Sequence, residues 1–213
     1  MIIKTMDATK TIHGTVILDS VNIELESGKI YGLQGPNGSG KTMLMRLLCG
    51  LIRPTSGAVY IDEKRLGEHM DFPNSVGLLL ESPAFLPNYT GLKNLQLLAS
   101  IQKKASVEQI RKAITDVGLD PDDKRKYRKY SLGMKQRLGI AAAIMEEPDL
   151  LFFDEPTNAL DDKGIIQICS LIKRERDRGA LIVMACHDAS VLEAMSDHIY
   201  TISEGKVEKK VSQ

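Results

Sequence analysis

The sequence contains no tryptophan, and aromatic residues make up only 5% of its 213 residues. This scarcity leaves little material for base-stacking surfaces or for an aromatic belt at a membrane interface. An excess of one charge is also lacking, because 28 Lys and Arg residues are balanced by 28 Asp and Glu residues. A chain that wraps nucleic acid through bulk positive charge is therefore disfavoured, although a local basic patch is compatible with this composition.

Cysteine and long apolar runs are scarce as well. Cys49, Cys169 and Cys186 are far apart and form no CxxC pair, which is typical of reduced thiols in a cytosolic chain and not of a disulfide or zinc framework. The N-terminal stretch MIIKTMDATKTIHG lacks the apolar core of a signal peptide. The longest apolar runs, LGIAAAIM and ALIVMAC, are far shorter than the roughly 18 residues of a membrane span. We therefore expect any membrane role to come through a separate partner chain.

The apolar content predicts a single folded domain over residues 1–213. Hydrophobic residues make up 43% and charged residues 26% of the chain, close to the globular average, and no internal repeat interrupts it. Val21, Ile23 and Leu25 alternate with polar neighbours, which indicates a half-exposed strand in an antiparallel sheet. A further strand of that sheet is predicted at 58–62.

A second group of segments is short, nearly all apolar and bounded by turns, which is typical of parallel strands buried on both faces. These strands are predicted at 30–34, 76–80, 150–153, 181–186 and 199–203, with helices at 41–49, 134–146 and 163–178. The pattern predicts an α/β fold: a three-layer core on a mainly parallel sheet, an N-terminal antiparallel subdomain and a helical insertion at about 83–147. Ser106 and Gln109 form a capping box within the insertion. The basic run KRKYRK, 124–129, favours a solvated face over a docking site.

The segment GPNGSGKT matches the phosphate-loop pattern GxxxxGK[ST] and lies between an apolar strand and a helix. Its glycines let backbone N–H groups turn toward a phosphate, and the following helix directs its positive end at the same anion. Lys41 is expected to reach the β- and γ-phosphates, and Thr42 to bind Mg²⁺. A chance glycine-rich turn is a poor alternative in this context. The predicted nucleotide-binding residues are Gly35, Pro36, Asn37, Gly38, Ser39, Gly40, Lys41 and Thr42.

The segment LLFFDEPTNALD presents two carboxylates after four buried apolar residues. Asp154 and Glu155 thus come at the carboxyl end of a predicted strand, where open α/β sheets bind ligands. Asp154 suits the Mg²⁺ shell, and Glu155 is placed to polarise an attacking water. A solvated turn would be the usual interpretation of such a pair, but the phosphate loop earlier in the chain favours a catalytic role.

Two weaker signals lie nearby. His187 follows the strand predicted at 181–186, and its position suggests contact with the γ-phosphate, although a lone histidine after a strand is usually structural. The octapeptide YSLGMKQR begins a predicted helix, which Ser131 can cap while Gly133 brings backbone close to an anion. By itself the octapeptide indicates only the start of a helix.

The order of these motifs resembles the nucleotide-binding subunit of the ATP-binding cassette (ABC) family over essentially the whole chain. The resemblance implies a P-loop NTPase core, in which two subunits sandwich two ATP molecules. The stretch 130–136 is similar to the family's signature, which contacts ATP held by the opposing subunit. The stretch 159–161 resembles the loop that joins the two halves, and His187 resembles the switch histidine. Ser131, Gly133 and Asp161 are therefore expected to bind ATP.

Three positions depart from the family pattern. The usual LSGGQ is replaced by YSLGM, so Leu132 stands in place of the first glycine. The aromatic residue that usually stacks on adenine should fall near Ile12 or His13, where apolar packing could substitute for it. Glu81 stands where the family normally carries glutamine, and it is expected to approach Mg²⁺ and the attacking water. Together with YSLGMKQR, this loop is similar to the bacitracin and lantibiotic export or immunity subgroup.

The resemblance implies a Mg²⁺-dependent ATPase subunit that powers a separate membrane permease from the cytoplasmic face of the membrane. Export is the expected direction of transport, and import stays an open alternative. Glu155 would act on the water, while Lys41 and His187 would stabilise the γ-phosphate. Homodimer and heterodimer are both open alternatives. A rival function is a soluble cassette ATPase that remodels nucleic acid or the ribosome. The chain has one cassette and no zinc or coiled-coil insert, which disfavours that rival and a nucleic-acid partner. A second rival is a non-catalytic ATP-binding regulator, which the presence of Glu155 disfavours.

Overall fold

The computed structural model describes residues 1–210. Its strands, in chain order, are β1 (Ile2–Ile12), β2 (Thr15–Val21), β3 (Glu24–Glu26), β4 (Ile30–Gln34), β5 (Ser56–Ile61), β6 (Lys64–Arg65), β7 (Val76–Leu79), β8 (Leu150–Asp154), β9 (Leu181–Ala185), β10 (His198–Ser203) and β11 (Lys206–Lys209). Its α-helices are α1 (Lys41–Leu48), α2 (Gly91–Gln102), α3 (Val107–Asp116), α4 (Leu132–Ile144), α5 (Asp162–Asp177) and α6 (Ala189–Met195). A short 3₁₀ turn, Tyr127–Lys129, precedes α4.

The central sheet has six strands in the order β11-β10-β4-β9-β8-β7. The five strands from β10 to β7 run parallel, and β11 pairs antiparallel with β10 at one edge. These five are the apolar strands that the sequence predicts, with bounds that differ by at most one residue. The α/β fold with a mainly parallel core is therefore confirmed.

Each central strand is apolar throughout because both of its faces are covered. Leu151 and Phe153 of β8 join one core cluster with residues of α3, α4 and α5, whereas Leu150 and Phe152 join a second cluster with α1 and the N-terminal strands. All four side chains are fully buried. Successive side chains of a strand point to opposite faces of the sheet. The run LLFF therefore places two apolar side chains in the core on each side of the sheet.

The N-terminal sheet is antiparallel, as predicted, but its strands differ from the expectation. The prediction of one strand through Val21, Ile23 and Leu25 is wrong, because β2 ends at Val21 and β3 begins at Glu24. The Thr5 hydroxyl donates to the Val21 carbonyl at 2.8 Å and accepts from the Ile23 N–H at 2.9 Å. These two side-chain bonds accompany the backbone bond from the Thr5 N–H to the Ile23 carbonyl at 2.9 Å. The alternating apolar residues still face the same core.

The β1–β2 hairpin was not predicted from the sequence, and neither were α6 and β11. The two-residue turn of the hairpin consists of His13 and Gly14, both with positive φ (47° and 82°), as a type I′ hairpin turn requires. In β1, burial alternates only near the start of the strand, so the period-two pattern is weak. Hydrophobic alternation in the sequence therefore does not predict this hairpin.

Three helices, α2, α3 and α4, lie between β7 and β8. The capping box of Ser106 and Gln109 before α3 is confirmed, since each side chain bonds the other residue's backbone N–H. Ser131 caps α4 by accepting from the Met134 N–H at 3.2 Å, so this helix begins two residues earlier than predicted. No helix within residues 1–210 combines the length and apolar character needed to span a membrane.

Candidate nucleotide site

A cavity of about 580 Å³ opens at the carboxyl edge of the central sheet. Parallel strands deliver their carboxyl ends to one edge, and the segments after β4, β7, β8 and β9 all contribute to this cavity. Of the residues predicted from the sequence, the structure gathers here Asn37, Gly38, Gly40, Lys41, Thr42, Glu81, Asp154, Glu155 and His187. Residues distant in sequence therefore share one concave surface.

The phosphate loop runs from the end of β4 to the first turn of α1. Gly40, immediately before α1, has φ of 110°, a conformation that favours glycine. The Lys41 side chain is largely buried, and its ammonium donates to the carbonyls of Gly35 at 2.7 Å and Pro36 at 3.0 Å. The loop thus curls around its own lysine, and the N-terminus of α1 points into the cavity.

Two oxygen ligands suited to a hard cation lie side by side. The Thr42 hydroxyl donates to a carboxylate oxygen of Asp154 at 2.5 Å. Mg²⁺ prefers oxygen ligands and commonly takes only one or two from protein, the rest from phosphate and water, so this pair fits Mg²⁺. Among residues 1–210 there is no cluster of three or more His, Cys, Asp or Glu side chains that could hold a metal.

Glu155 and His187 are in direct contact at the cavity. One carboxylate oxygen of Glu155 accepts from the His187 backbone N–H at 2.8 Å, and the other lies 3.5 Å from the His187 Nε2. Glu155 also adopts a left-handed backbone, with φ of 53°. The Gln136 side chain, from α4, donates to the Glu155 carbonyl at 2.8 Å.

Glu81 lies at the cavity rim, but its carboxylate has a partner that the sequence analysis did not include. Arg46, one turn beyond Thr42 on α1, forms an ion pair with it. The Glu81 side chain is 65% exposed and its backbone is left-handed, with φ of 64°. The basic group that offsets this charge thus comes from the same chain. Contact between Glu81 and Mg²⁺ stays a prediction.

The three residues predicted from the signature and from the loop after the acidic pair do not line the cavity. Ser131 is the exposed cap of α4, and Asp161 caps α5 by accepting from the Gly164 N–H at 3.0 Å. Gly133 is so close to the Ala159 carbonyl that an added Cβ would lie 2.7 Å from its oxygen. The start of α4 and the loop before α5 therefore adjoin each other outside the cavity.

A family profile described as ABC transporter matches residues 18–158. The chain belongs to the ABC transporter family. It is 44% identical to an uncharacterized ABC transporter ATP-binding protein, YybJ of Bacillus subtilis, over 97% of this chain and 94% of the relative. It is 40% identical to the bacitracin transport ATP-binding protein BcrA of Enterococcus faecalis, over 99% of this chain and 69% of the relative.

A solved dimeric ATP-binding cassette, in a post-hydrolysis state bound to ADP and Pi, superposes with a TM-score of 0.88. The two chains are 25% identical, and the match covers 98% of this chain and 97% of the other. The predicted resemblance is confirmed, and this chain is an ABC-type ATPase subunit of a transporter.

The cavity of this ABC ATPase also contains residues that the sequence analysis did not single out: Ile17, Met43, Ser82, Gln136 and Asn158. Ile17 projects from β2, whereas Ile12 and His13, where an adenine-stacking residue was expected, do not line the cavity. Gln136 lies within YSLGMKQR, so that motif pointed to its segment. Nothing in the sequence pointed to its contact with Glu155.

Proposed function

We propose that this ABC ATPase hydrolyses ATP in the cavity at the carboxyl edge of its sheet and thereby drives a separate membrane permease. The observation that carries the proposal is the convergence of the phosphate loop, Asp154, Glu155 and His187 on that cavity. An anion cradle, a cation site and a carboxylate base in one place are the parts that phosphoryl transfer to water needs.

The phosphate groups of ATP would lie in the loop of residues 35–40, with the N-terminus of α1 supplying further N–H groups. Lys41 would turn from the loop carbonyls to the β- and γ-phosphates, because a phosphate is a stronger partner for an ammonium than a neutral carbonyl. Thr42 and Asp154 would hold Mg²⁺. When bound there, this ion supplies neutralising charge to the phosphates.

Glu155 is proposed to orient the attacking water and to take its proton. Its carboxylate is fixed by the His187 N–H on one oxygen. The other oxygen, 3.5 Å from the His187 Nε2, would accept from a water once the imidazole turns to the γ-phosphate. The Glu155 side chain is 20% exposed, so the carboxylate lies at the cavity surface and is mostly shielded from solvent. The His187 side chain, 63% exposed, is free to turn to the γ-phosphate together with Lys41.

The proposed working unit contains two ABC subunits, identical or different. Ser131 and Asp161 are exposed in the single chain and lie outside its cavity, so they could complete the site of a second subunit. The solved neighbour is a dimeric cassette, which supports this arrangement. Two ATP molecules would then form much of the interface between the subunits.

We infer that the permease is an exporter, with this subunit at the cytoplasmic face of the membrane. The relative from E. faecalis is named for bacitracin transport, which makes a peptide antibiotic of that kind our proposed cargo. Purification from native membranes separates this function from its rival. A membrane protein that co-purifies in fixed ratio supports the transporter, whereas ribosomes or nucleic acid in its place would favour a soluble ATPase.

The catalytic assignment is tested with Glu155→Gln, which keeps the shape of the side chain but cannot take a proton. We expect ATP binding to be retained, turnover to fall by about a hundredfold or more, and a doubled mass on a sizing column in the presence of Mg-ATP. Glu147→Gln is the matched control, because Glu147 also has a left-handed backbone but lies outside the cavity. Wild-type turnover in Glu155→Gln would exclude Glu155 as the base.

A further inference from the structure

We propose that Gln136 is a positioning residue for Glu155: its side chain holds the backbone of the base in the conformation that aims the carboxylate into the cavity. This inference rests on the role of Glu155 proposed above. Gln136 is only 9% exposed, and its amide nitrogen donates to the Glu155 carbonyl oxygen at 2.8 Å. The bond joins α4, in the helical segment, to the turn that follows β8.

The Glu155 backbone needs such support. Its φ of 53° lies in the left-handed region, which residues other than glycine seldom adopt and which costs about 1 kcal/mol or more. Pro156 follows directly and further narrows the conformations open to the residue before it. A strained backbone at an active site persists only where its surroundings fix it.

Three hydrogen bonds fix the Glu155 peptide groups. Its N–H donates to the Ala185 carbonyl at 3.0 Å, and its carbonyl accepts from the Asn158 N–H at 3.1 Å and from Gln136. The first bond comes from the neighbouring strand and the second from the turn itself. The Gln136 bond is the one among these that reaches the turn from another layer of the fold, and the shortest of the three.

Backbone direction at Glu155 decides where its side chain points. A change of φ at Glu155 would turn its Cα–Cβ bond relative to the strand that precedes it and move the carboxylate away from the His187 N–H. Displacement of a catalytic group by about 1 Å can cost about a hundredfold in rate. Loss of one supporting bond out of three should therefore slow the chemical step while leaving the phosphate loop intact.

The same helix gives Gln136 a second connection. α4 begins directly after Ser131 and carries Gln136 in its second turn. In the proposed dimer, Ser131 meets the nucleotide of the opposing subunit. The helix α4 then connects the Ser131 contact with the opposing nucleotide to the Gln136 bond that holds the Glu155 backbone. A displacement of α4 would therefore shift the Glu155 carboxylate of the same subunit.

The test is Gln136→Met, which keeps the length of the side chain and removes the donor. We expect kcat for ATP hydrolysis to fall about tenfold, with KM for ATP and the melting temperature little changed. Gln167→Met is the matched control. Its amide also donates to a backbone carbonyl, that of Asp116 at 3.0 Å, but away from the cavity. Gln136→Asn, too short to reach the carbonyl yet still polar, repeats the test if the methionine variant does not fold.

A double-mutant comparison separates positioning from general support. In the Glu155→Gln background the base is already lost, so Gln136→Met should change the residual single-turnover rate less than twofold. A tenfold loss in both backgrounds, or a loss equal to that of the Gln167 control, would overturn the inference. Wild-type kcat in both Gln136→Met and Gln136→Asn would do so too. If Glu155→Gln itself is active, the proposed base has failed instead, which is a different result.

Discussion

The guanidinium of Arg46 forms an ion pair with the carboxylate of Glu81 at the rim of the cavity. Arg46 lies on α1, the helix that begins at the phosphate loop, and Glu81 lies two residues beyond β7. Glu81 occupies the position at which members of the family normally have a glutamine. Its negative charge would oppose that of the γ-phosphate, and Arg46 offsets it within the same chain.

We expect Arg46→Gln to raise KM for Mg-ATP by about two- to fivefold, because an unpaired carboxylate then faces the nucleotide. The effect is small since the pair is partly exposed, with side-chain exposures of 32% and 65%, and such pairs contribute up to about 1 kcal/mol. Adding Glu81→Gln should remove the defect. Arg53→Gln, which breaks an exposed pair with Asp71 outside the cavity, is the control.

Glu81→Gln alone should retain ATP hydrolysis in the isolated subunit and shift the Mg²⁺ concentration that turnover requires. The physical reason is that the negative charge of a carboxylate beside the phosphates attracts the cation, whereas a neutral amide oxygen binds it more weakly. A Mg²⁺ titration of turnover, run beside Glu155→Gln, measures both effects. If Glu81→Gln is the inactive enzyme and Glu155→Gln the active one, the roles of the two carboxylates are reversed.

Lys41→Ala should weaken Mg-ATP binding by about a hundredfold, which corresponds to about 3 kcal/mol for a lost charged contact. The change also deletes the bonds from Lys41 to the loop carbonyls, so the melting temperature is measured alongside. Lys29→Ala, whose ammonium pairs with Glu26 outside the cavity, is the control and should bind ATP normally. Unchanged affinity in Lys41→Ala would contradict the phosphate-loop assignment.

Ser131→Arg should leave ATP binding to the single chain intact and prevent formation of the ATP-bound dimer. Ser131 is exposed and outside the cavity of its own chain, and a bulky side chain there would occupy the phosphate position of the opposing site. The measurement is the mass on a sizing column in the Glu155→Gln background with Mg-ATP. Ser100→Arg, an exposed serine on α2, should still dimerise. Loss of ATP binding by the Ser131→Arg monomer would show that the signature assignment is wrong.

The lowered pKa of the Asp116 carboxyl predicts that its contribution to the stability of the fold depends on pH. Burial raises the pKa of its carboxyl, but hydrogen bonds from Arg174 and Lys112 outweigh burial and hold that pKa below its ordinary value. The charged carboxylate joins α3 to Arg174 of α5 at 2.6 Å. A carboxyl with a depressed folded pKa stabilises the fold above its unfolded pKa, and this contribution is lost as the pH falls through the folded pKa.

We therefore expect Asp116→Asn to lower the free energy of unfolding by about 1 kcal/mol at neutral pH. The difference should shrink in strong acid, once the pH has fallen through the lowered folded pKa and the Asp116 carboxyl is protonated. Urea unfolding of both proteins at neutral pH and in strong acid gives the difference directly. An equal difference at both pH values would mean that the charge on Asp116 has no part in its contribution.

Features that depend on residues close together in the chain follow from the sequence alone. GPNGSGKT between an apolar strand and a helix specifies a phosphate loop, since the glycines, the lysine and the helix start are contiguous. LLFFDE specifies a strand buried on both faces that ends in two carboxylates. Four apolar residues in a row are typical of a short strand covered on both faces. The parallel sheet then brings the carboxylates to the edge where the loop lies.

Contacts between side chains of different helices and strands depend on how these elements pack in the folded protein. The Thr5 hydroxyl divides an alternating apolar stretch into two strands, although the alternation itself shows no break. Arg46 reaches Glu81 across 35 positions in sequence, and Gln136 reaches the Glu155 carbonyl across 19. Periodicity records which face of an element is buried, but it carries no information on the rotation at which a helix packs against a sheet edge, and that rotation sets these contacts.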